Sequence, residues 1–189
     1  MVNRRWLTVV AAMLIAVMQT TVAAAAGKPA HSDAGGIFAT LSKLNWVQQG
    51  QGARLMYVFI DPNCPYCHKL YMELQPKIGP EHLTVRWVPL GILTTTSAGK
   101  AAAILGAKDR AAALKLNESH YVRGQGGGIQ EALPDEHVSD ELKANQHAWS
   151  QTGATGVPTI IFRDQSGHPT MVQGGPTPDQ LKELLTHVH

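Results

Sequence analysis

Residues 55–70, LMYVFIDPNCPYCHKL, constrain this chain more than any other stretch. A short apolar run over 55–60, rich in β-formers, stops at Asp61-Pro62-Asn63. Cys64 and Cys67 follow, separated by Pro65 and Tyr66. Beyond them Leu70, Leu74 and Ile78 recur every fourth residue, the period of one helix face. The cysteines therefore stand where a buried strand hands over to a helix. A thiol at a helix start meets unpaired N–H groups and the positive end of the helix dipole, and both favour thiolate. Cys64, expected to be the more exposed, is the candidate attacking thiol. Cys67, in the first turn, is the candidate resolving thiol. A disulfide closing so short a loop removes little chain entropy, so the pair has little value as a staple. C-x-x-C in this setting reads as a redox pair.

The N-terminus supplies a compartment. Arg4 and Arg5 precede an apolar run over 7–18, and small residues follow over 22–26. A charged start, apolar middle and A-x-A end predict a secretory signal peptide over 1–26, cleaved after Ala24, Ala25 or Ala26. The apolar run is short of the ~20 residues that a spanning helix needs. Cleavage leaves about 163 of the 189 residues, enough to bury ~70% of their unfolded surface. Without Arg4 and Arg5 the basic residues number 14 and match the 14 acidic ones. That balance, with no basic stripe, speaks against nucleic acid or an anionic membrane surface as a partner. Export places the dithiol in an oxidising compartment, the periplasm for a bacterial-style signal, where a disulfide persists.

Taken in order, residues 27–36 are small and polar. Ile37, Leu41, Leu44 and Val47 follow helical spacing and predict an amphipathic helix over 37–48. Residues 27–52 are thus a leader with a short helix, and the domain proper is expected over 53–189. After the strand at 55–60, the helix carrying the cysteines is expected to run to Gly79-Pro80 with a kink at Pro76. LTVRWVPL, 83–90, alternates and β-branches as a second strand. The polar residues 94–97 are a candidate helix cap, and alanine-rich 98–105 and 109–116 predict two helices broken at Gly106. GQGGG, 124–128, reads as a flexible linker inside a helical insertion of about 96–152 and lacks the lysine and hydroxyl of a phosphate-binding loop. A helix over 139–152, a strand over 156–162 (GVPTIIF), a turn at 164–168, a strand at 170–173 and a helix over 178–188 complete the chain. This order predicts an α/β fold with a mixed central sheet, flanking helices on both faces and a helical insertion between its two halves.

The stretches YVFIDPNCPYCHKL, LTVRWVPLGIL, AAAILGAKD, GVPT and MVQGGPTPDQLKELL resemble the thioredoxin-fold Dsb family, in particular the catalytic domain of its DsbG and DsbC group. C-P-Y-C alone is shared with glutaredoxins; the strand context, the segment after Leu83 and the proline strand make the match specific. The resemblance implies a thioredoxin fold and thiol–disulfide exchange on exported proteins, with no cofactor. It implies a DsbG-like reductase or isomerase of disulfides or cysteine sulfenic acids in periplasmic proteins, with a DsbA-like disulfide oxidase as the alternative direction. The implied partners are exported proteins with disulfides or oxidised cysteines, and a membrane redox partner of the DsbD type, or the DsbB type for an oxidase. Cys64 takes the nucleophile position, Cys67 the resolving position and Pro158 the cis-proline position, where the Val157 backbone pairs with an extended substrate.

Three features depart from the family pattern. A short stretch, 27–51, stands where DsbG and DsbC have an N-terminal dimerisation domain and linker helix. Val157 precedes the cis-proline position where those proteins typically carry threonine, and is closer to DsbA. Val58 holds the position, six residues before Cys64, of a buried acid in thioredoxin and DsbA, so another group or water must handle the Cys67 proton.

Other chemistries share these residues. C-P-Y-C-H also matches the c-type haem motif C-x-x-C-H, with His68 proximal and Met56, Met72 or Met171 distal. Two thiolates and His68 would also suit a soft ion in a metal-binding chaperone. The upstream buried strand and Val157-Pro158 favour an exchange site, and no metal is expected. His68, one turn after Cys64, either stabilises a Cys64 thiolate or is a solvated surface residue. Tyr66 contacts substrate or covers the disulfide, and Pro65 and Tyr66 tune the potential. Trp46, Trp87 and Trp149 read as core or groove-lining aromatics. The apolar face at 37–47 is expected to pack on its own domain, which predicts a monomer with an open face around Tyr66 and Val157.

Overall fold

A computed structural model describes residues 36–189; the signal peptide expected over 1–26, and the leader up to residue 35, lie outside the described residues. The elements are α1 (Gly36–Leu41), β1 (Val47–Gln49), β2 (Arg54–Ile60), α2 (Pro65–Leu74), β3 (Leu83–Pro89), α3 (Ser97–Leu105), α4 (Arg110–Ser119), α5 (Glu136–Gln151), β4 (Thr159–Arg163), β5 (Pro169–Gln173) and α6 (Pro178–His187). No helix among the described residues is long and apolar enough to cross a membrane.

The sheet has the order β1-β3-β2-β4-β5. Met56 to Ile60 of β2 are all buried, odd and even positions alike. A strand covered on both faces has no polar alternation, which is why this segment reads as a continuous apolar run. β2 runs parallel to β3, with Val58 opposite Trp87, and antiparallel to β4, with Phe59 opposite Thr159. That second register sets the site: the loop leaving β2 and the loop entering β4 emerge side by side. α2 closes the β2–β3 crossover and buries Leu70, Tyr71 and Leu74; each such side chain contributes about 1.5–3 kcal/mol when removed from water. The helical insertion has a small core of its own, where Ala101, Ala102 and Leu105 of α3 meet Val138 and Leu142 of α5. Asn145 of α5 ties it to the sheet. Its Nδ2 donates to the carbonyls of Asn45 at 2.8 Å and Pro89 at 3.1 Å, and its Oδ1 accepts from the Asn45 N–H at 3.1 Å.

The structure corrects three local expectations. The helix expected over 37–48 ends at Leu41, and Val47–Gln49 is a strand antiparallel to β3, with Val47 opposite Trp87. Pairing the open edge of β3 satisfies backbone groups that a helix there would leave bare. Next, α2 stops at Leu74 instead of running kinked to Gly79. Pro76 lacks an N–H and its ring crowds the carbonyl four residues back, so it terminates the helix. Finally, the segment at 124–128 is no free linker. Gly126 and Gly127 are buried, the Gly127 N–H donates to the Pro62 carbonyl at 3.1 Å and the Gly128 N–H to the Asn117 carbonyl at 2.9 Å. The helices at 97–105, 110–119, 136–151 and 178–187 and the hairpin of β4 and β5 agree with the sequence reading to within a few residues.

Candidate active site

Cys64 is the N-cap of α2, and its Sγ accepts the Cys67 N–H at 3.3 Å, where a serine or aspartate oxygen would ordinarily sit. Pro65 occupies the first turn, where its missing N–H costs nothing. Both cysteines are free thiols. Cys64 was expected to be the more exposed, but both are covered, at 2% and 1% exposure. The asymmetry between them is electrostatic. Hydrogen bonding from the Cys67 side chain, helped by the Cys67 and Tyr66 backbone N–H groups, pulls the Cys64 thiol below its ordinary range against burial and the Asp61 charge. Burial pushes the Cys67 thiol well up, and its hydrogen bond to Cys64 and the charges of Cys64 and Glu118 add to this.

The Cys64 S–H points at the Val157 carbonyl, 3.6 Å away, and the Val157–Pro158 peptide bond is cis. The β2–β4 register thus brings Val157 against Cys64 although the two are 93 positions apart in the chain. On the far side of this loop, the Pro158 carbonyl accepts the Gly174 N–H at 2.8 Å. Tyr66 is 62% exposed at the rim and lies against Gly175. A groove of about 780 Å³ runs beside the dithiol past Pro65, Tyr66, His68, Lys69, Tyr121 and Arg123.

The loop before Cys64 is held by residues that the sequence reading passed over. Asp61 is fully buried: its Oδ1 accepts from the Asn63 N–H at 2.9 Å and the Ser97 hydroxyl at 2.7 Å, its Oδ2 from the N–H groups of Ile92 at 2.8 Å and Leu93 at 3.0 Å. Asn63 donates to the hydroxyls of Thr94 at 2.7 Å and Thr96 at 2.8 Å, and its Oδ1 accepts Lys100 Nζ at 2.9 Å. The polar residues at 94–97 therefore bind this loop instead of capping α3; Thr96 makes no side-chain cap bond. The proximity of Asp61 and Asn63 to the cysteines was the one available signal for this network.

Val58, where related folds carry an acid, is a wholly buried apolar residue. Another acid comes from the insertion. Glu118, 2% exposed near the end of α4, accepts Asn117 Nδ2 on Oε1 at 3.0 Å, and its Oε2 lies 3.1 Å from His68 Nδ1. Burial raises its pKa to about 7, against the Asn117 hydrogen bond and with a contribution from the Cys64 charge. His68 is half-buried, its pKa lowered by desolvation, and its ring stacks on Tyr121 at 4.3 Å. It is neither a free surface residue nor an open-faced ligand. Among the candidate distal haem ligands, Met56 is buried within β2 and Met171 lies on β5. Among the described residues no group of three or more His, Cys, Asp or Glu is placed to hold a metal ion. Trp87 is core, and its Nε1 donates to Gln49 at 2.9 Å. Trp46 and Trp149 pack at the core's edge.

Residues 46–189 match the thioredoxin-like domain family. The chain is 31% identical over 160 residues to the thiol:disulfide interchange protein DsbG of Pseudomonas aeruginosa, a match covering 79% of this chain and 61% of that protein. It is 26% identical over 145 residues to DsbG of Escherichia coli, covering 74% and 56%. The chain thus spans less than two thirds of the length of these curated relatives. Among solved structures, the catalytic domain of Proteus mirabilis ScsC superposes with a TM-score of 0.64 at 20% identity, over 78% of this chain and 91% of that one. The two share the overall fold, which in this chain is a five-stranded mixed sheet whose central strand delivers the C-x-x-C pair to a helix start opposite a cis-proline. By the family match and by that architecture, this chain belongs to the thioredoxin-like family.

Proposed function

We propose that this chain is a thiol–disulfide oxidoreductase of DsbG-like type, exported through a signal peptide over 1–26 to act in the periplasm on proteins carrying disulfides or cysteine sulfenic acids. The observation that carries this reading is the opposed tuning of two adjacent thiols, Cys64 lowered and Cys67 raised, next to the Val157 carbonyl. A lowered thiol attacks at neutral pH, and a raised one stays protonated until the other has reacted.

The Cys64 thiolate attacks one sulfur of a substrate disulfide, and the other sulfur leaves as a thiolate. With a sulfenic acid the same attack expels hydroxide, which leaves as water once protonated. Both give a mixed disulfide on Cys64. Cys67 then attacks Cys64 Sγ, the Cys64–Cys67 disulfide forms and the substrate leaves reduced. A membrane dithiol partner of the DsbD type returns the two electrons. The substrate lies extended past Tyr66, its backbone pairing with that of Val157. The domain is read as 53–189 with its insertion at 96–152, acting as a monomer.

The reverse direction, a DsbA-like oxidase with a DsbB-type partner, has one observation in its favour: Val157 in the position before the cis-proline. The in vivo redox state of Cys64 and Cys67, read by thiol trapping in periplasmic extract, separates the two. A mostly reduced pair fits the reductase or isomerase; a mostly oxidised pair fits the oxidase and overturns the first reading.

A further inference from the structure

Resting on the exchange reading above, we propose that Glu118 takes the proton that Cys67 must lose to resolve the mixed disulfide, its carboxyl positioned by His68 and Asn117. Cys67 is 1% exposed and cannot lose its proton directly to bulk water. The position six residues before Cys64 offers no acid, because Val58 fills it and is itself fully buried.

Two buried acids lie near the dithiol, and their settings differ. Asp61 accepts four hydrogen bonds from Asn63, Ser97, Ile92 and Leu93, which engage both oxygens and commit it to holding the loop. Glu118 accepts one from Asn117 and faces His68 with its other oxygen. Among the described residues no lysine or arginine pairs with it; its one ion-pair partner is His68. A carboxyl so buried, beside a neutral amide and a titratable ring, gains and loses a proton near neutrality. Its raised value, about 7, agrees with this setting.

The titratable groups that face Glu118 are Cys64 at the N-cap of α2, Cys67, His68 and Tyr71 on α2, and Tyr121 after α4, with Arg123 facing Tyr121. The Cys64 thiolate raises Glu118. When Cys64 is captured in a mixed disulfide that charge disappears, so Glu118 becomes more readily ionised and ready to accept. The Cys67 S–H bond then breaks with its proton passing to the Glu118 carboxylate. The Cys67 sulfur bonds to Cys64 Sγ, and the bond from Cys64 to the substrate sulfur breaks. That sulfur leaves as a thiolate with the electron pair and takes a proton from Glu118 or solvent.

The test uses the reduced mature protein and dithiobis(nitrobenzoate), a chromophoric disulfide that reports both steps. Attack by Cys64 releases one thionitrobenzoate, and resolution by Cys67 releases a second. With Glu118→Gln, which keeps the shape and an oxygen to accept from Asn117, the second phase should slow about tenfold or more relative to the first near neutral pH. Its pH dependence should flatten, and Glu118→Asp should recover part of the rate. An unchanged second phase with an unchanged pH profile would overturn the proposal. A wild-type protein with no second phase would instead overturn the exchange reading beneath it. Independently of any variant, isotope-edited infrared spectroscopy of the wild-type protein follows the Glu118 carboxyl. It should titrate near neutrality in the dithiol form and at lower pH in the disulfide form. An ordinary carboxylate titration, indifferent to the redox state, would also overturn the proposal.

Discussion

Lys100 and Asn63 meet inside the protein: the lysine Nζ donates to Asn63 Oδ1 at 2.9 Å, and both side chains are buried. The same ammonium donates to the Gly127 carbonyl at 2.7 Å. One cation thus ties the loop before Cys64 to α3 and to the glycine-rich segment. Lys100→Met removes two hydrogen bonds from a charged donor, takes the lysine from the Gly127 carbonyl, and leaves Asn63 Oδ1 with only the Gly127 N–H at 3.3 Å. A loss of about 1.5–3 kcal/mol is expected per such bond at most, and about that much overall after relaxation. Urea unfolding of the reduced protein measures it; a variant as stable as the parent would count against this account of the loop.

Gly126 has φ +86, and a Cβ there would run into the Asn63 side chain. Gly126→Ala should therefore cost more than about 1 kcal/mol, combining a conformation that L side chains avoid with the displacement of Asn63. Gly124, whose φ is also positive, has open space around it. Alanine there should cost less, and thermal unfolding of the two variants side by side checks the order.

Cys64 carries a lowered pKa and Cys67 a raised one. Thiolate is the reactive form above the pKa, so lowering it extends reactivity toward lower pH. Alkylation of Cys64 by iodoacetamide should rise with a midpoint below the ~8.5 of a free cysteine and level off above it, while Cys67 stays unreactive over the same range. Mass spectrometry of quenched samples assigns the two sites. A Cys64 midpoint at or above the free value would refute the electrostatic reading of the helix cap.

The two thiols should also differ in trapping. With Cys67→Ser the mixed disulfide on Cys64 has no internal resolving thiol, so covalent complexes with exported proteins should accumulate on non-reducing gels. Cys64→Ser should accumulate few or none. Equal trapping by both would mean that the roles are reversed or shared.

The apolar face of α1 is already occupied. Leu41 is fully buried, Phe38 packs edge-on to Tyr57 at 6.2 Å, and the Arg163 guanidinium lies 4.2 Å from the Phe38 ring centre. A helix so committed to its own domain has no apolar stripe left for a second copy. Light scattering of the mature protein should give a monomer; a dimer that dissociates when residues 27–48 are removed would contradict this.

What could be read from the sequence was whatever is local. The run at 55–60, the change of period after Cys67 and the proline-opened strand near Thr159 each carry their structure in a few adjacent residues, because strand and helix spacing are short-range properties. The cysteine pair announces itself for the same reason. The pairing of Val157-Pro158 with Cys64 was reachable only through family resemblance, since Val157 lies 93 positions from Cys64 in the chain. Val47 shows how a local reading fails: its spacing fits a helix, but the open edge of β3 takes it as a strand. Glu118, Lys100 and Gly126 carried no signal at all. A glutamate near a helix end, a lysine in an alanine-rich stretch and one glycine among several are ordinary residues in sequence. Their roles come from desolvation and from partners supplied by distant elements, and a buried charge acquires its chemistry only where the folded chain removes water and sets a neighbour against it.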